Sequence, residues 1–430
     1  MQELPARTLA LPGEGSLGML GRSLVMFSLL FFPFQDFLVN QVENESLAQL
    51  LRFFDEILVL GLGLPWMMTL LAQGRGLGAS FGGGLPAIGL WVFLFASVIS
   101  ILLKRVPPLQ GVFGIFDLGK AAFTFFLVQS IPWTGRQFRR AAQYALVGLL
   151  ILAGFGVLGE FLALAGIEND WVEEKSKSRL GLYRIVSLPG HGHTNFVGLA
   201  CVLGIALVPS LARTWFTKIP LFLILFAAVV FSGSRQALIG LFFMSAIRGG
   251  RGILIGAIIL GFLGAHYLSL AESYDPQYYY RAFTYLKSLE ALQDNPILGV
   301  GPGMFCGVPA AMMGSPYHQT WPVFFAEMFE EMGSLDSYWP GVFAEVGLVG
   351  GLALVLALVG FGAHIRLAER RFQAVENYDI AHLVGRLRGF LLGMVVMGFL
   401  TGLNKPFVSL TFFLLAGIAC RAGERYARLR

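Results

Sequence analysis

The chain has 430 residues, of which 56% are hydrophobic and only 13% are charged, and its formal net charge is +5. A soluble protein carries roughly 25% charged residues, so this chain lacks the polar side chains that would cover a water-facing surface. The composition excludes a soluble globular protein and predicts a membrane protein. The three cysteines lie far apart, and their spacing predicts neither a disulfide framework nor a zinc site.

Apolar stretches long enough to cross a hydrocarbon core of roughly 30 Å recur along the whole chain. They predict an all-α polytopic membrane protein with about twelve transmembrane helices in a single membrane domain, residues 1–430. The first stretch is interpreted as a retained span, because no convincing small-residue cleavage site follows it. The predicted spans are 18–35, 57–72, 85–103, 112–131, 143–166, 195–212, 217–232, 236–247, 253–270, 341–364, 388–403 and 407–420.

The distribution of Lys and Arg predicts how the chain is threaded through the membrane. With the N-terminus in the cytoplasm, most basic residues fall in inside segments and most acidic residues fall in outside segments. Both termini then lie inside, and the net charge of +5 reflects topology and does not indicate nucleic-acid binding. The two longest connecting segments, 167–194 and 271–340, are predicted on the outer face, as is 36–56. Loops of this length in a compact membrane protein usually have a function.

The large extracytoplasmic loop, 271–340, is predicted to contain two amphipathic helices. Residues 277–293 have apolar side chains at helical spacing, and Asp294-Asn295-Pro296 is expected to end that helix. In the stretch 321–332 the apolar stripe consists of Trp321, Phe325, Met328, Phe329 and Met332. We interpret both as helices that lie along the membrane surface and cap a cavity; the alternative is that they only cover the bundle.

The first candidate site is Ser232-Gly233-Ser234-Arg235, between two predicted spans. An Arg at the membrane edge is costly unless it faces a cavity or a partner. Its planar fork of donors fits a phosphate or diphosphate at headgroup level. The alternative is a snorkelling Arg that touches lipid phosphates without specificity. Lys405, at a later outer helix end, has the same two interpretations.

The second candidate site is the segment 179–196, at the entrance of the next span. It contains the polar residues Arg184, His191, His193 and Asn195. Either histidine could be a base or a ligand, but no third metal ligand follows at a diagnostic spacing, so no metal site is predicted. Arg184 is the residue here that we expect to be functional. The alternative is a polar loop that packs on lipid headgroups.

The third candidate site is the glycine-rich segment 295–305, which includes Gly301. Glycines permit close backbone approach or positive φ, and that role could be purely structural. The segment lacks the strand and helix context of a nucleotide site, so nucleotide binding is not predicted.

The fourth candidate site is the segment 336–350, at the start of a span. A carboxylate that faces a cavity near the membrane surface, such as Asp336, can accept a proton from a sugar hydroxyl. The alternative for Asp336 is a helix N-cap, and the alternative for Glu345 is an ion pair with an Arg. Within an earlier span, Asp117 and Lys120 are expected to neutralise each other.

These four segments occur in the order of a known pattern. Arg184 precedes a Gly-His-Asn segment ending at Asn195, and Ser234-Arg235 lies at a helix boundary. Arg281 precedes the Asn-Pro-aliphatic-Gly-Val-Gly segment 295–305, and 336–350 contains Ala-Glu-x-Gly-Leu-x-Gly. The sequence thereby resembles the O-antigen ligase/polymerase family of bacterial inner-membrane glycosyltransferases (the WaaL and Wzy types), over roughly residues 184–350.

The resemblance implies a GT-C-like, metal-independent glycosyltransferase without a cofactor, whose donor is an undecaprenyl-diphosphate-linked glycan on the periplasmic face. Arg184 and Arg235 would hold the diphosphate, with Arg281 as a weaker third contact, and these fixed cations would stabilise the charge on the leaving group. Ligases of the family have a His where this chain has Asp336, which indicates the polymerase branch with Asp336 as the base. The further substrate-binding candidates are His193, Asn195, Gly301 and Glu345.

We therefore predict a polysaccharide polymerase, whose partners are the lipid-linked donor, a glycan acceptor, membrane lipids and other polysaccharide-assembly proteins. The nearest alternative is a ligase that transfers the glycan to lipid A-core. The alternatives to Asp336 as the base are His318, a reserve candidate, and a loop histidine. A transporter is the alternative of another class, for which Asp117, Lys120 and Glu160 would be suitable. Transporters typically have internal repeats, and none is found in this sequence.

Overall fold

The computed structural model describes residues 16–72, 84–167, 172–177, 183–185, 194–211, 214–246, 276–305, 307–332, 338–399 and 406–428. Its first helices are α1 (Ser16–Phe31), α2 (Gln35–Gln41), α3 (Glu45–Arg52), α4 (Phe54–Ala72), α5 (Leu85–Lys104), α6 (Pro108–Gln129) and α7 (Gly135–Leu164). The next are α8 (Thr194–Leu211), α9 (Trp215–Phe231), α10 (Arg235–Ala246), α11 (Pro276–Asp294), α12 (Val308–Met313) and α13 (Val323–Met332). The last are α14 (Tyr338–Ala374), α15 (Tyr378–Met397) and α16 (Pro406–Arg428), and short 3₁₀ turns occupy Phe32–Phe34 and His318–Thr320.

One short hairpin interrupts this helical fold. Strands β1 (Val172–Lys177) and β2 (Tyr183–Ile185) pair antiparallel, with Glu173 opposite Arg184. The hairpin lies in the predicted outer loop 167–194, and the all-α prediction did not include it.

The long helices have the composition of membrane spans. Six segments of the described residues are long and apolar enough to cross a membrane, and the chain is an α-helical polytopic membrane protein. They are Gly18–Gln41, Leu85–Lys104, Pro108–Gln129, Gly135–Leu164, Tyr338–Ala374 and Tyr378–Met397. Every predicted span except 253–270 overlaps a helix, and 253–270 lies outside the described residues.

Helix α8 lies at the centre of the bundle. Its apolar residues from Phe196 to Val208 are buried, and it packs against α7, α9, α10, α15 and α16. A helix that is hydrophobic all round is expected in such an interior position. By contrast, α5 and α9 expose apolar side chains such as Leu102 and Phe216, so these helices lie at the perimeter.

The polar contacts that join helix ends in the described residues include two groups of three. One group joins ends that the threading puts inside: Arg22 to the Pro132 carbonyl (3.3 Å), Arg139 to the Ser210 carbonyl (3.0 Å) and Arg388 to the Glu369 carboxylate (2.9 Å). The other joins ends that it puts outside: Ser100 to the Leu298 carbonyl (2.8 Å), Gln110 to the Gly303 carbonyl (2.8 Å) and the Tyr338 amide to the Gly398 carbonyl (2.9 Å). The large loop therefore packs on one end of the bundle.

Candidate functional site

The glycine-rich segment 295–305, called the glycine loop below, begins where the predicted helix ends. Helix α11 stops at Asp294, so the predicted Asp294-Asn295-Pro296 stop is confirmed. The loop then runs along α14, which has non-helical backbone angles at Gly347 (φ 66°, ψ −170°). The Val300 and Gly301 amides donate to the Ala344 and Glu345 carbonyls, both at 2.9 Å.

The hydrogen bonds continue on the other side of the break in α14. The amides of Leu348 and Val349 donate to the carbonyls of Pro296 and Ile297, at 2.9 and 3.2 Å. Backbone groups that leave a helix at membrane depth need partners within the protein, because no water is available there. The glycine loop supplies these partners.

The side chain of Glu345 completes this attachment. It is fully buried, and its two carboxylate oxygens accept from the amides of Gly303 (2.8 Å) and Phe305 (2.9 Å). Hydrogen bonds from amides to a carboxylate are stronger than those between neutral groups. Glu345 thus fixes the shape of the glycine loop, and the two candidate segments 295–305 and 336–350 form one structural unit.

Helices α5 and α6 also hold the glycine loop. Ser100 donates to the Leu298 carbonyl, and the Lys104 ammonium bonds the Asn295 side chain. Gln110, buried in the first turn of α6, donates to the carbonyls of Gly303 (2.8 Å) and Gly314 (2.9 Å). Sequence reasoning missed these residues. The available signal was a Ser and a Gln within otherwise apolar segments.

Gly347 should tolerate no side chain. A Cβ atom there would lie 2.3 Å from the Ile297 carbonyl oxygen, and its backbone angles fall in a region that essentially only glycine adopts. We expect Gly347→Ala to lower the free energy of unfolding by at least about 3 kcal/mol, measured by denaturant titration in detergent. Gly154→Ala is the control. Gly154 lies on α7, and a Cβ atom there would have no neighbouring atom within 4 Å. Equal stability of the two variants would contradict the described packing.

Within the large loop, aromatic residues of α11 and of the segment 321–332 form a core around His318. The predicted stripe residues Trp321 and Phe329 lie 4.3 and 4.1 Å from the His318 ring, and Phe325 stacks on Phe283 at 4.1 Å. The His318 Nε2 atom lies 2.8 Å from the Phe305 carbonyl, which can only accept a hydrogen bond. Three members of the predicted stripe, Trp321, Phe325 and Phe329, therefore pack inside the loop.

Burial lowers the pKa of His318 below 6.5, although its hydrogen bond to Phe305 opposes this shift. His318 in the unfolded chain binds a proton more readily than in the folded protein. The contribution of neutral His318 to the free energy of unfolding should therefore be fully present above about pH 6.5, and it should be lost as the pH drops below that value. We expect His318→Gln to remove this part of the pH dependence of the unfolding midpoint. An unchanged pH profile would show that His318 does not contribute.

Arg184 and Arg235 lie on two backbone segments that both adjoin α8 and α9. Arg184 lies on β2, which contacts α7, α8 and α9. Arg235 begins α10 directly after the turn that ends α9, and the hydroxyl of Ser234 caps α10 by accepting from the Ala237 amide (3.1 Å). That turn packs closely on Gly198 near the start of α8. The fold thus brings the two backbone segments to α8 and α9.

The other predicted site residues have separate positions. Arg281 lies on α11, which packs against α14, and Asn195 is in the first turn of α8. The side chains of Arg184, Arg235, Arg281 and Asn195 lie outside what the structure describes, as do the whole residues His193, Asp336 and Lys405. Gly301 packs against Val106 with φ 113°.

A buried charge cluster surrounds Lys120 of α6. The Lys120 ammonium is 2.7 Å from Asp55, 3.4 Å from Glu56 and 3.9 Å from Asp117. The predicted pairing of Lys120 with Asp117 is therefore present, but the closest carboxylate comes from α4. Asp117, Lys120 and Tyr338 also line a small cavity between α6, α14, α15 and α16.

In the part of the chain that the structure describes, no three His, Cys, Asp or Glu side chains are arranged to hold a metal ion. A scan of known protein families and a search of curated proteins both find no match to this chain.

Proposed function

We propose that this protein is a membrane glycosyltransferase of the O-antigen ligase/polymerase type, which polymerises undecaprenyl-diphosphate-linked oligosaccharide repeat units. It acts in the bacterial cytoplasmic (inner) membrane, with both termini in the cytoplasm and the active site on the periplasmic face. The observation that carries the proposal is the bonding of Glu345 to Gly303 and Phe305. It joins the two most specific motif segments, 40 residues apart, into one unit.

The proposed architecture has about twelve spans, as the apolar segments predict, and a GT-C-like fold. Its functional core is 184–350, and 271–340 is the periplasmic loop. The agreement between the inter-helix hydrogen bonds and the predicted threading supports this arrangement, because Ser100 and Gln110 join predicted outer helix ends to the glycine loop.

In the proposed mechanism the donor enters laterally from the bilayer, and Arg184 and Arg235 bind its diphosphate. This assignment is supported by the position of both segments beside α8 and α9. Arg281, on the helix that packs against α14, is the weaker third contact. Guanidinium groups suit this task because their planar fork can bind phosphate oxygens in pairs.

The acceptor hydroxyl then attacks the anomeric carbon of the donor sugar. The new carbon–oxygen bond forms as the bond to the diphosphate breaks, and the electron pair leaves with undecaprenyl diphosphate. Asp336 accepts the hydroxyl proton, and the arginines stabilise the charge on the leaving group. His193, Asn195 and the Gly301 backbone bind the glycan. Glu345 is a positioning residue for this site, because its carboxylate is bonded to the glycine loop.

The hydrogen bonds around Gly347 favour an enzyme over a transporter. Transporters use the carbonyls of broken helices to coordinate ions. In this protein, the carbonyls of Ala344 and Glu345 next to the break accept hydrogen bonds from the glycine loop. They are therefore engaged in holding the loop in place.

The proposal is tested by adding purified lipid-linked repeat units to the reconstituted protein. A polymerase yields a ladder of longer glycans and releases one undecaprenyl diphosphate for each bond formed. A ligase would require added lipid A-core for any product. Absence of released undecaprenyl diphosphate under both conditions would contradict the enzymatic function and favour a carrier.

A further inference from the structure

The loop helices expose an apolar surface in addition to their buried aromatic core. We call it the loop patch, and it consists of Val308, Met312, Met313, Val323 and Phe324, whose exposed fractions lie between 42% and 71%. No Asp, Glu, Lys or Arg occurs between residues 308 and 324. Single exposed apolar residues are common, but a contiguous apolar surface usually marks an interaction site.

The loop patch is held at a defined depth along the bundle. Gln110 donates to the Gly314 carbonyl directly after α12, and α12 packs against α6. Helix α6 has 22 residues. At a rise of about 1.5 Å per residue it spans roughly 33 Å, close to the thickness of a hydrocarbon core. Because Gln110 is in the first turn of α6, α12 lies near the edge of that core.

The loop patch also lies next to a candidate membrane span, because α12 packs against α6. Around Gln110, the side chains of Leu109, Val112 and Phe113 are exposed on α6, which is a candidate membrane span. Helix α13 in turn contacts α12. Exposed apolar residues therefore occur on α6, on α12, which packs against α6, and on the first turn of α13, which contacts α12. The glutamates of α13, from Glu327 onward, lie beyond this turn.

We propose that the loop patch inserts into the acyl-chain boundary of the leaflet in which α6 begins, and so anchors the large loop to the membrane. The occupant is the lipid surface itself. Insertion depends on apolar burial, because the segment has no basic residue to attract anionic headgroups. This anchoring does not depend on glycosyl transfer.

Photo-crosslinking of the full chain in phosphatidylcholine liposomes tests the anchoring. The photoreactive residue p-benzoylphenylalanine is placed at Phe324 or Met312 in the loop patch, at Val112 on α6 as the positive control, and at Glu290 as the negative control. Glu290 is suited to this because it is exposed on α11 in an ion pair with Lys287. We expect a phospholipid adduct, detected by mass spectrometry, at Phe324, Met312 and Val112 but not at Glu290.

An adduct at Val112 with no adduct at either loop position would overturn the proposal, as would labelling at Glu290 equal to that at the loop positions. The assay requires no catalytic turnover, so its failure is distinguishable from failure of the proposed function. The Val112 variant reports that the protein is inserted in the bilayer. Two loop positions are used so that a folding defect in one variant does not decide the result.

Discussion

Arg235→Ala and Arg184→Ala are each expected to slow chain extension by at least about 100-fold, with the protein still folded in the membrane. The leaving diphosphate gains charge as its bond to the sugar breaks, and a fixed cation stabilises that charge most in the transition state. Arg235→Lys should fall between the wild type and the alanine variant, because it keeps the charge but loses the planar fork. The measurement is the initial rate of polymer formation from purified lipid-linked repeats.

Arg52→Ala is the matched control for these variants. Arg52 is an exposed arginine at the end of α3, in the predicted outer segment 36–56, and the proposed mechanism does not use it. We expect its rate to equal that of the wild type. Unchanged polymer length and rate in Arg235→Ala and Arg184→Ala would refute the diphosphate role.

Lys120→Met should lower the free energy of unfolding by about 3–5 kcal/mol. The Lys120 and Asp55 side chains are only 8% and 3% exposed, and their charged groups are 2.7 Å apart. Without the ammonium, the carboxylates of Asp55, Glu56 and Asp117 lose their common cation. Burying charges without a partner is strongly unfavourable. The measurement is denaturant titration in detergent.

Lys287→Met provides the control for burial. The Lys287–Glu290 pair is as short, at 2.6 Å, but its side chains are 31% and 57% exposed. Exposed ion pairs contribute about 0–1 kcal/mol, so this variant should change stability little. The double variant Lys120→Met/Asp55→Asn should recover part of the loss by removing one unpaired charge. Equal stabilities of Lys120→Met and Lys287→Met would contradict the role of the cluster.

The helices were largely predictable because membrane insertion imposes a minimum apolar length. The segment 85–103 was predicted within one residue of α5, Leu85–Lys104. Helix α14 continues to Ala374, beyond the predicted end at 364, because Ala368 and Phe372 are buried there and Phe372 contacts Tyr426 of α16. That extension is amphipathic, so a rule that counts only apolar residues ends the span too early.

The contacts within the candidate site depend on residues far apart in the chain. The spacing of Asp117 and Lys120 predicts a local pair, whereas the closest partner of Lys120 is Asp55, 65 residues away. Glu345 was a candidate for sugar binding, and its bonds to Gly303 and Phe305 depend on the tertiary fold. The hairpin was also missed, because Val172–Lys177 is charged and lacks the alternating apolar pattern of a strand.

The spacing of apolar residues also could not predict which side of the segment 321–332 is buried and which is exposed. The stripe of 321–332 was expected from its spacing, and its members Trp321 and Phe329 are buried. They pack around His318, and Phe283 of α11 packs against both Trp321 and Phe325. The exposed residues Val323 and Phe324 do not belong to that stripe.

The most direct test of the central claim is a cryo-electron microscopy structure of the protein in a lipid bilayer with undecaprenyl diphosphate. We expect density for the diphosphate in a hollow beside α8 and α9, with both the Arg184 and Arg235 guanidinium groups within hydrogen-bonding distance of its oxygens. Lipid diphosphate bound elsewhere, or the two arginines directed at separate surfaces, would contradict the proposed function.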